Sequence, residues 1–181
     1  MSPSPNRPAA ATLVAIALIA LAALSRLVPH PYNFTPIEAV ALFAGAWLGS
    51  RWLAVLVPIA ALFVSDLIIG FYTSAFVTYA CVAAIALGGR FLGRDAGALR
   101  IAGFGLAGAL LFFVVTNFGV WLAIGHPPSY PFTWDGLVAC YVAAIPFFQN
   151  QLAGVAFYSL LLFGGMALAR RRFTRTEPVS A

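Results

Sequence analysis

Two histidines, two cysteines and five carboxylates are the side chains in this 181-residue chain that most often carry catalysis. Their arrangement excludes several chemistries. There is no Walker loop, no HExxH, no GxSxG and no CxxC pair, so nothing points to ATP hydrolysis, zinc-dependent proteolysis or serine-ester chemistry. What stands out is a set of hydrogen-bonding groups inside apolar stretches. His30, Asn33, Thr35 and Glu38 lie in "HPYNFTPIEAVALFAG", Ser65 and Asp66 in "FVSDLIIGFY", and Asn117 and Trp121 in "TNFGVW". Tyr79 and Cys81 share one apolar run, and Cys140, Tyr141, Gln149, Asn150 and Gln151 share another. A strongly polar group at membrane depth costs about 2.5–3.5 kcal/mol on insertion scales, so each is a candidate for function.

The elements that would position these groups follow from composition. The chain is 62% hydrophobic and 8% charged, against about 25% charged in a soluble domain. The fold expected is all-α: a polytopic membrane protein of six transmembrane helices at 9–28, 36–50, 53–71, 74–89, 101–124 and 136–169. Residues 1–8 form an N-terminal tail, 9–169 a single membrane domain and 170–181 a basic tail. Pro8–Ser25 is longer than a usual signal-peptide core and reads as a retained first helix. The second span is short, so residues 29–35 are expected to dip below the interface as a re-entrant stretch. The last span is too long to cross straight and is expected to kink at Pro146.

All ten fixed positive charges are arginines, and the net charge is +5. Alternating the six spans puts Arg7, Arg51, Arg90, Arg94, Arg100, Arg170, Arg171, Arg172 and Arg175 on one side and Arg26 alone on the other. This sorting explains the basic pI by orientation in a membrane rather than by nucleic acid, and places both termini in the cytoplasm of a bacterial inner membrane. Both histidines, His30 and His126, then fall in outer loops rich in proline and aromatic residues. Such loops form either a lid or an interfacial belt.

On this topology the intramembrane polar groups lie between the outer surface and the midplane, as lining of an outward-facing pocket would. Each also has a packing explanation. Thr35 and Glu38 have capping-box spacing, Asp66 can bond a neighbouring helix, Asn117 and Asn150 can pair with each other, and Cys81 can be a small buried hydrophobe. Ala41, Gly45 and Gly49 form a small-xxx-small stripe suited to close packing inside the protein or to docking another membrane subunit.

This combination of length, six spans, inward termini and small-residue stripe resembles the substrate-binding S components of energy-coupling-factor transporters. "NFTPIEAVALFAGAWLG" is similar in style to the early segment of those proteins, and "SDLIIG" and "TNFGVW" resemble segments of small bacterial membrane proteins of the same circle. The cobalamin-type components resemble it most, with a histidine in the first outer loop, an aspartate in the next hairpin and a cysteine in the following helix, here His30, Asp66 and Cys81. The resemblance implies uptake of a vitamin, a cobalamin or related corrinoid, as transported ligand rather than intrinsic cofactor. It also implies cobalt ligation by Cys81, and a transmembrane coupling subunit with ATPases docked on Ala41, Gly45 and Gly49. Asp66, Tyr79, Asn117, Trp121 and Asn150 would line the pocket, with His30, Asn33 and Thr35 above it. Two other classes compete. A membrane enzyme acting on lipid head groups would set His30 within hydrogen-bond reach of Glu38 or Asp66. A structural accessory protein would be a closed bundle with its asparagines paired.

Overall fold

The computed structural model describes residues 6–124 and 130–175, and among these there are helices and no strand. The helices are α1 (Asn6–Leu24, continued by a 3-10 turn at Ser25–Leu27), α2 (Ile37–Trp47), α3 (Arg51–Ile69), α4 (Ala75–Leu92), α5 (Ala98–Ile124), α6 (Trp134–Ser159) and α7 (Gly165–Arg175). Each overlaps an expected span. Local chemistry sets several ends. The Ser50 hydroxyl accepts from the Leu53 amide at the start of α3, and Thr133 Oγ1 accepts from the Gly136 amide at the start of α6. Gly70 and Gly93 end α3 and α4 at φ +107° and +77°, a region open to glycine but strained for other residues.

Among the described residues four helical stretches are long and apolar enough to cross a membrane: α3, α4, α5 and the α6–α7 rod. They indicate a membrane protein. Exposed Leu56, Val64, Leu67 and Ile68 on α3, and Phe76 and Leu87 on α4, give these helices apolar outer faces. The described apolar part of α1 and the whole of α2 are shorter, and α2 extends about 16 Å at 1.5 Å per residue.

All eleven residues of α2 are buried, so this helix is the axis of the bundle. Its alanines and Gly45 allow that position. A Cβ added at Gly45 would sit on the Ala86 carbonyl oxygen, and one at Gly89 on the Leu42 carbonyl. The α2–α4 contact is therefore backbone on backbone. This corrects the docking stripe. Ala41 and Gly45 face neighbours inside the chain and are out of a partner's reach, while Gly49 lies beyond α2, exposed and touching nothing.

The connection between α1 and α2 folds into the bundle. Thr35 lies against Gly154 of α6, with its amide 3.1 Å from where a Cβ would be. The adjacent Val155 packs on Gly105, seven residues into α5, or about 10 Å from that helix's arginine-bearing end. At its other end α2 reaches the arginines, since Arg94 donates to the Trp47 carbonyl at 2.8 Å. Helices α1 and α2 thus form a hairpin whose connection packs on α6 through Phe34 and Thr35, while residues 27–33 are exposed.

Pro146 lies inside α6, which continues past it as one α-helix. The interruption comes later, as a π turn at Leu160–Gly164. Gly164 and Gly165 adjoin it, and Leu18 of α1 packs 3.9 Å from the Cβ position of Gly165.

Candidate functional site

The expected pocket residues divide into small groups whose polar atoms are already engaged. Asp66 on α3 is 1% exposed. It forms an ion pair with Arg26 Nη2 at 3.0 Å and accepts from the Tyr79 hydroxyl at 2.9 Å. Arg26 also donates to Ser65 Oγ and to the Leu62 carbonyl. Arg26, the one arginine that fell on the wrong side of the charge sorting, is the counter-ion of a buried carboxylate at the hairpin tip. The neighbouring Ser25 hydroxyl meets Tyr158 Oη at 3.0 Å.

Asn117 turns back to the Phe113 carbonyl one helical turn away, at 2.7 Å, and Asn150 donates to the Tyr32 carbonyl at 3.0 Å. The two asparagines do not pair. Trp121 Nε1 donates to the Pro131 carbonyl at 3.1 Å. His30 is exposed, with Nδ1 3.0 Å from the Pro31 carbonyl, and hydrogen-bonds neither Glu38 nor Asp66. Asn33 takes a left-handed conformation at φ +63° in the exposed turn, and the Thr35 amide closes onto its carbonyl at 3.0 Å. His126 lies outside the described residues.

Two further readings change. Thr35 does not cap α2, because the N-cap position is Pro36 with no side-chain bond. Glu38 instead accepts from Gln151 Nε2 at 2.8 Å, and that nitrogen also donates to the Ala109 carbonyl at 3.1 Å. Cys81 is 3% exposed beneath α2. Its sulfur is not in the lining of the cavity that runs between α5 and the α6–α7 rod. Among the described residues no group of three or more His, Cys, Asp or Glu is arranged for a metal.

One cavity lies at the arginine end. It measures about 690 Å³ and runs between α5 and the α6–α7 rod, within the size range of small-molecule sites. Gly105 and Leu106 of α5 face Ala156, Ser159 and Leu160 across it. Leu106 and Leu160 are exposed on the outer flank, so the cavity opens sideways where lipid would lie. Its inner end carries Trp47, Arg94, Arg170 and Arg171. Among the described residues three buried polar atoms lack a hydrogen-bond partner: Glu38 Oε2, Trp47 Nε1 and Ser159 Oγ. Two of the three belong to this lining.

A family profile matches residues 6–178, and its description is a family of unknown function, DUF6580. The chain belongs to the DUF6580 family. No curated protein and no solved structure matches it. For this DUF6580 chain the roles of residues therefore rest on geometry. Sequence reasoning missed Trp47, Ser159, Arg94 and Arg170 as a group. The signal present was a tryptophan four residues before Arg51, next to the side where arginines collect. No periodicity links that end of α2 to a serine more than a hundred residues later.

Proposed function

We propose that this protein is a membrane-embedded binding protein for a small amphiphilic molecule, which it exchanges with the surrounding bilayer through the cavity at its arginine end. The observation that carries this reading is the lateral opening of that cavity between α5 and the α6–α7 rod. A water-soluble ligand would call for a mouth lined with polar groups. Here the flanks are leucine and alanine, and charge is confined to one end.

The membrane arrangement that fits is four crossing helices with the α1–α2 hairpin entering from the arginine side and returning to it. All arginines but Arg26 then face the cytoplasm, as the positive-inside rule expects, and Arg26 is neutralised at the hairpin tip by Asp66. Both termini remain cytoplasmic. The irregular backbone at Phe34 and Thr35 is covered by α6, and the exposed residues 28–33 fit a tip that reaches the opposite interface.

The outward vitamin site draws less support. Asp66, Tyr79, Asn117, Trp121 and Asn150 are bonded within the protein, Cys81 is buried, and Ala41 and Gly45 of the stripe are internal. Head-group catalysis lacks its acid–base pair, because His30 hydrogen-bonds neither carboxylate. The test is native mass spectrometry of the full chain, released from detergent after equilibration with a bacterial lipid extract. One amphiphile per chain is expected, and Ala156→Phe, which fills the cavity from an exposed position, removes it. No adduct, or equal adducts in Ala156→Phe, contradicts the reading.

A further inference from the structure

We infer that the cavity recognises its amphiphile by a neutral acceptor oxygen: a carbonyl group at the head of an apolar chain, held by the Trp47 indole N–H and the Ser159 hydroxyl. The carbonyl of an acyl ester and that of a prenylated quinone share this chemistry. This deepens the binding reading above and rests on it.

The first ground is Trp47, which is 7% exposed and lines the cavity. Its ring is fixed by Phe43, 5.7 Å away between centroids, and by Arg94 and Arg170, whose Cζ atoms lie 5.8 and 5.5 Å from the centroid. Both cation contacts are within cation–π range. The one polar atom of the side chain, Nε1, has no partner. Buried polar groups in that state are few in folded proteins. An indole N–H donates and cannot accept, so what it asks of a ligand is an acceptor.

The second ground is Ser159, also 7% exposed and on the same lining. A serine or threonine inside a helix commonly returns its hydroxyl to the carbonyl four residues back. Ser65 does so onto Ala61, and Thr116 onto Phe112. Ser159 does not. Its Oγ has no partner, and the residue stands immediately before the π turn at Leu160–Gly164. Such widened turns recur at functional sites. A hydroxyl can donate as an indole does, so acceptor oxygens satisfy both residues. A plain hydrocarbon would leave both unmatched.

The third ground is charge and shape together. Arg94 donates to the Trp47 carbonyl and Arg170 pairs with Asp95. Arg170 and Arg171 also make further interactions within the chain. The arginines at this end are thus engaged, and the two orphan groups on the lining are neutral. A neutral carbonyl meets them without burying an uncompensated charge. A fatty amine would bring donors to donors. Behind Ser159 the lining continues along α6 to Leu152 and faces Gly105 and Leu106 of α5. The α6 stretch is about 10 Å long. It is apolar and open on the flank, as the chain behind a carbonyl requires.

The test uses the full chain in neutral detergent, with competition read by native mass spectrometry. Three probes share one chain length: a monoacylglycerol, its alkyl-ether analogue without the carbonyl, and the fatty acid. A prenylated benzoquinone is the fourth. The monoacylglycerol is expected to be preferred over the ether about five- to tenfold, the size of a buried hydrogen bond or two. Trp47→Phe keeps an aromatic ring and loses the donor, and Ser159→Ala loses the hydroxyl. Each should cut the preference about threefold and leave ether binding unchanged, which shows that the cavity is folded. A quinone bound more tightly than the ester, with the same dependence on Trp47, supports the inference and assigns the quinone source. The reverse order supports it and assigns the ester. Equal binding of ester and ether by the native chain overturns the carbonyl inference and leaves the binding reading standing. A preference that survives both substitutions overturns it too. A fatty acid preferred over every neutral probe overturns the neutral head. Failure to bind any probe overturns both readings.

Discussion

The two ends of the α1–α2 hairpin handle polar groups in opposite ways. At the tip, Arg26, Ser65, Asp66 and Tyr79 use each other's hydrogen-bonding capacity. At the base, Trp47 and Ser159 keep buried polar atoms unmatched beside a cavity of about 690 Å³. Nearly all buried polar groups in folded proteins find partners. A saturated cluster is therefore explained by folding alone, whereas orphan donors beside empty volume call for a ligand. The sequence features that looked most like a site belong to the first kind.

The contrast can be broken by substitution, beginning where the effect is largest. Arg26→Gln leaves Asp66 buried without its counter-ion and should cost about 3–5 kcal/mol, measured by unfolding in detergent. The paired replacement Arg26→Met/Asp66→Leu should recover much of that loss, and a loss unchanged in the double variant would mean that the tip does more than hold the hairpin. Gly45→Leu drives a side chain into the α4 backbone and should cost about 2–3 kcal/mol by the same measurement. If it were neutral, α2 would not be the packed axis.

Smaller effects sharpen the picture. Gln151→Leu removes the donor from Glu38 and should cost about 1–3 kcal/mol, less than the loss of Arg26. Cys81→Ala should cost roughly 1 kcal/mol, the middle of the range for point changes. Protein grown with cobalamin should show no corrinoid absorption band with either residue present. A band that depends on Cys81 would restore the outer site. His30→Ala should stay within about 0.5 kcal/mol of the native chain, because that ring is exposed.

The helical class and the approximate placement of the long helices were legible from hydropathy, because long apolar runs such as 101–124 have no other use; four of the six expected spans are long enough to cross by themselves. The depth of α1 and α2 was less so. The short second span and the dip at 29–35 were visible, yet the hairpin depends on Thr35 meeting Gly154, a contact between distant segments. Proline's missing N–H at Pro146 is a local signal. It does not report that α6 continues regardless, and the wide turn fell at a leucine run flanked by Gly164 and Gly165 instead. The polar residues were singled out as pocket lining, and the structure engages two of them, Asp66 and Tyr79, with each other. Their partners were illegible, since Arg26 had been assigned to solvent. The small-residue stripe was legible as a packing surface, but whether it packs inside the chain or against a partner is decided by Ala86 and Gly89 on α4.

The most direct test of the account is photo-crosslinking with a diazirine placed along the acyl chain of a single-chain lipid, followed by peptide mapping. Labels concentrated on 102–106 of α5 and 156–164 of the α6 rod, and competed away by unlabelled probe, are the predicted result. Labels concentrated at residues 30–36, Asp66 or Tyr79, or spread evenly over the outer leucines of α3 and α4, would contradict it.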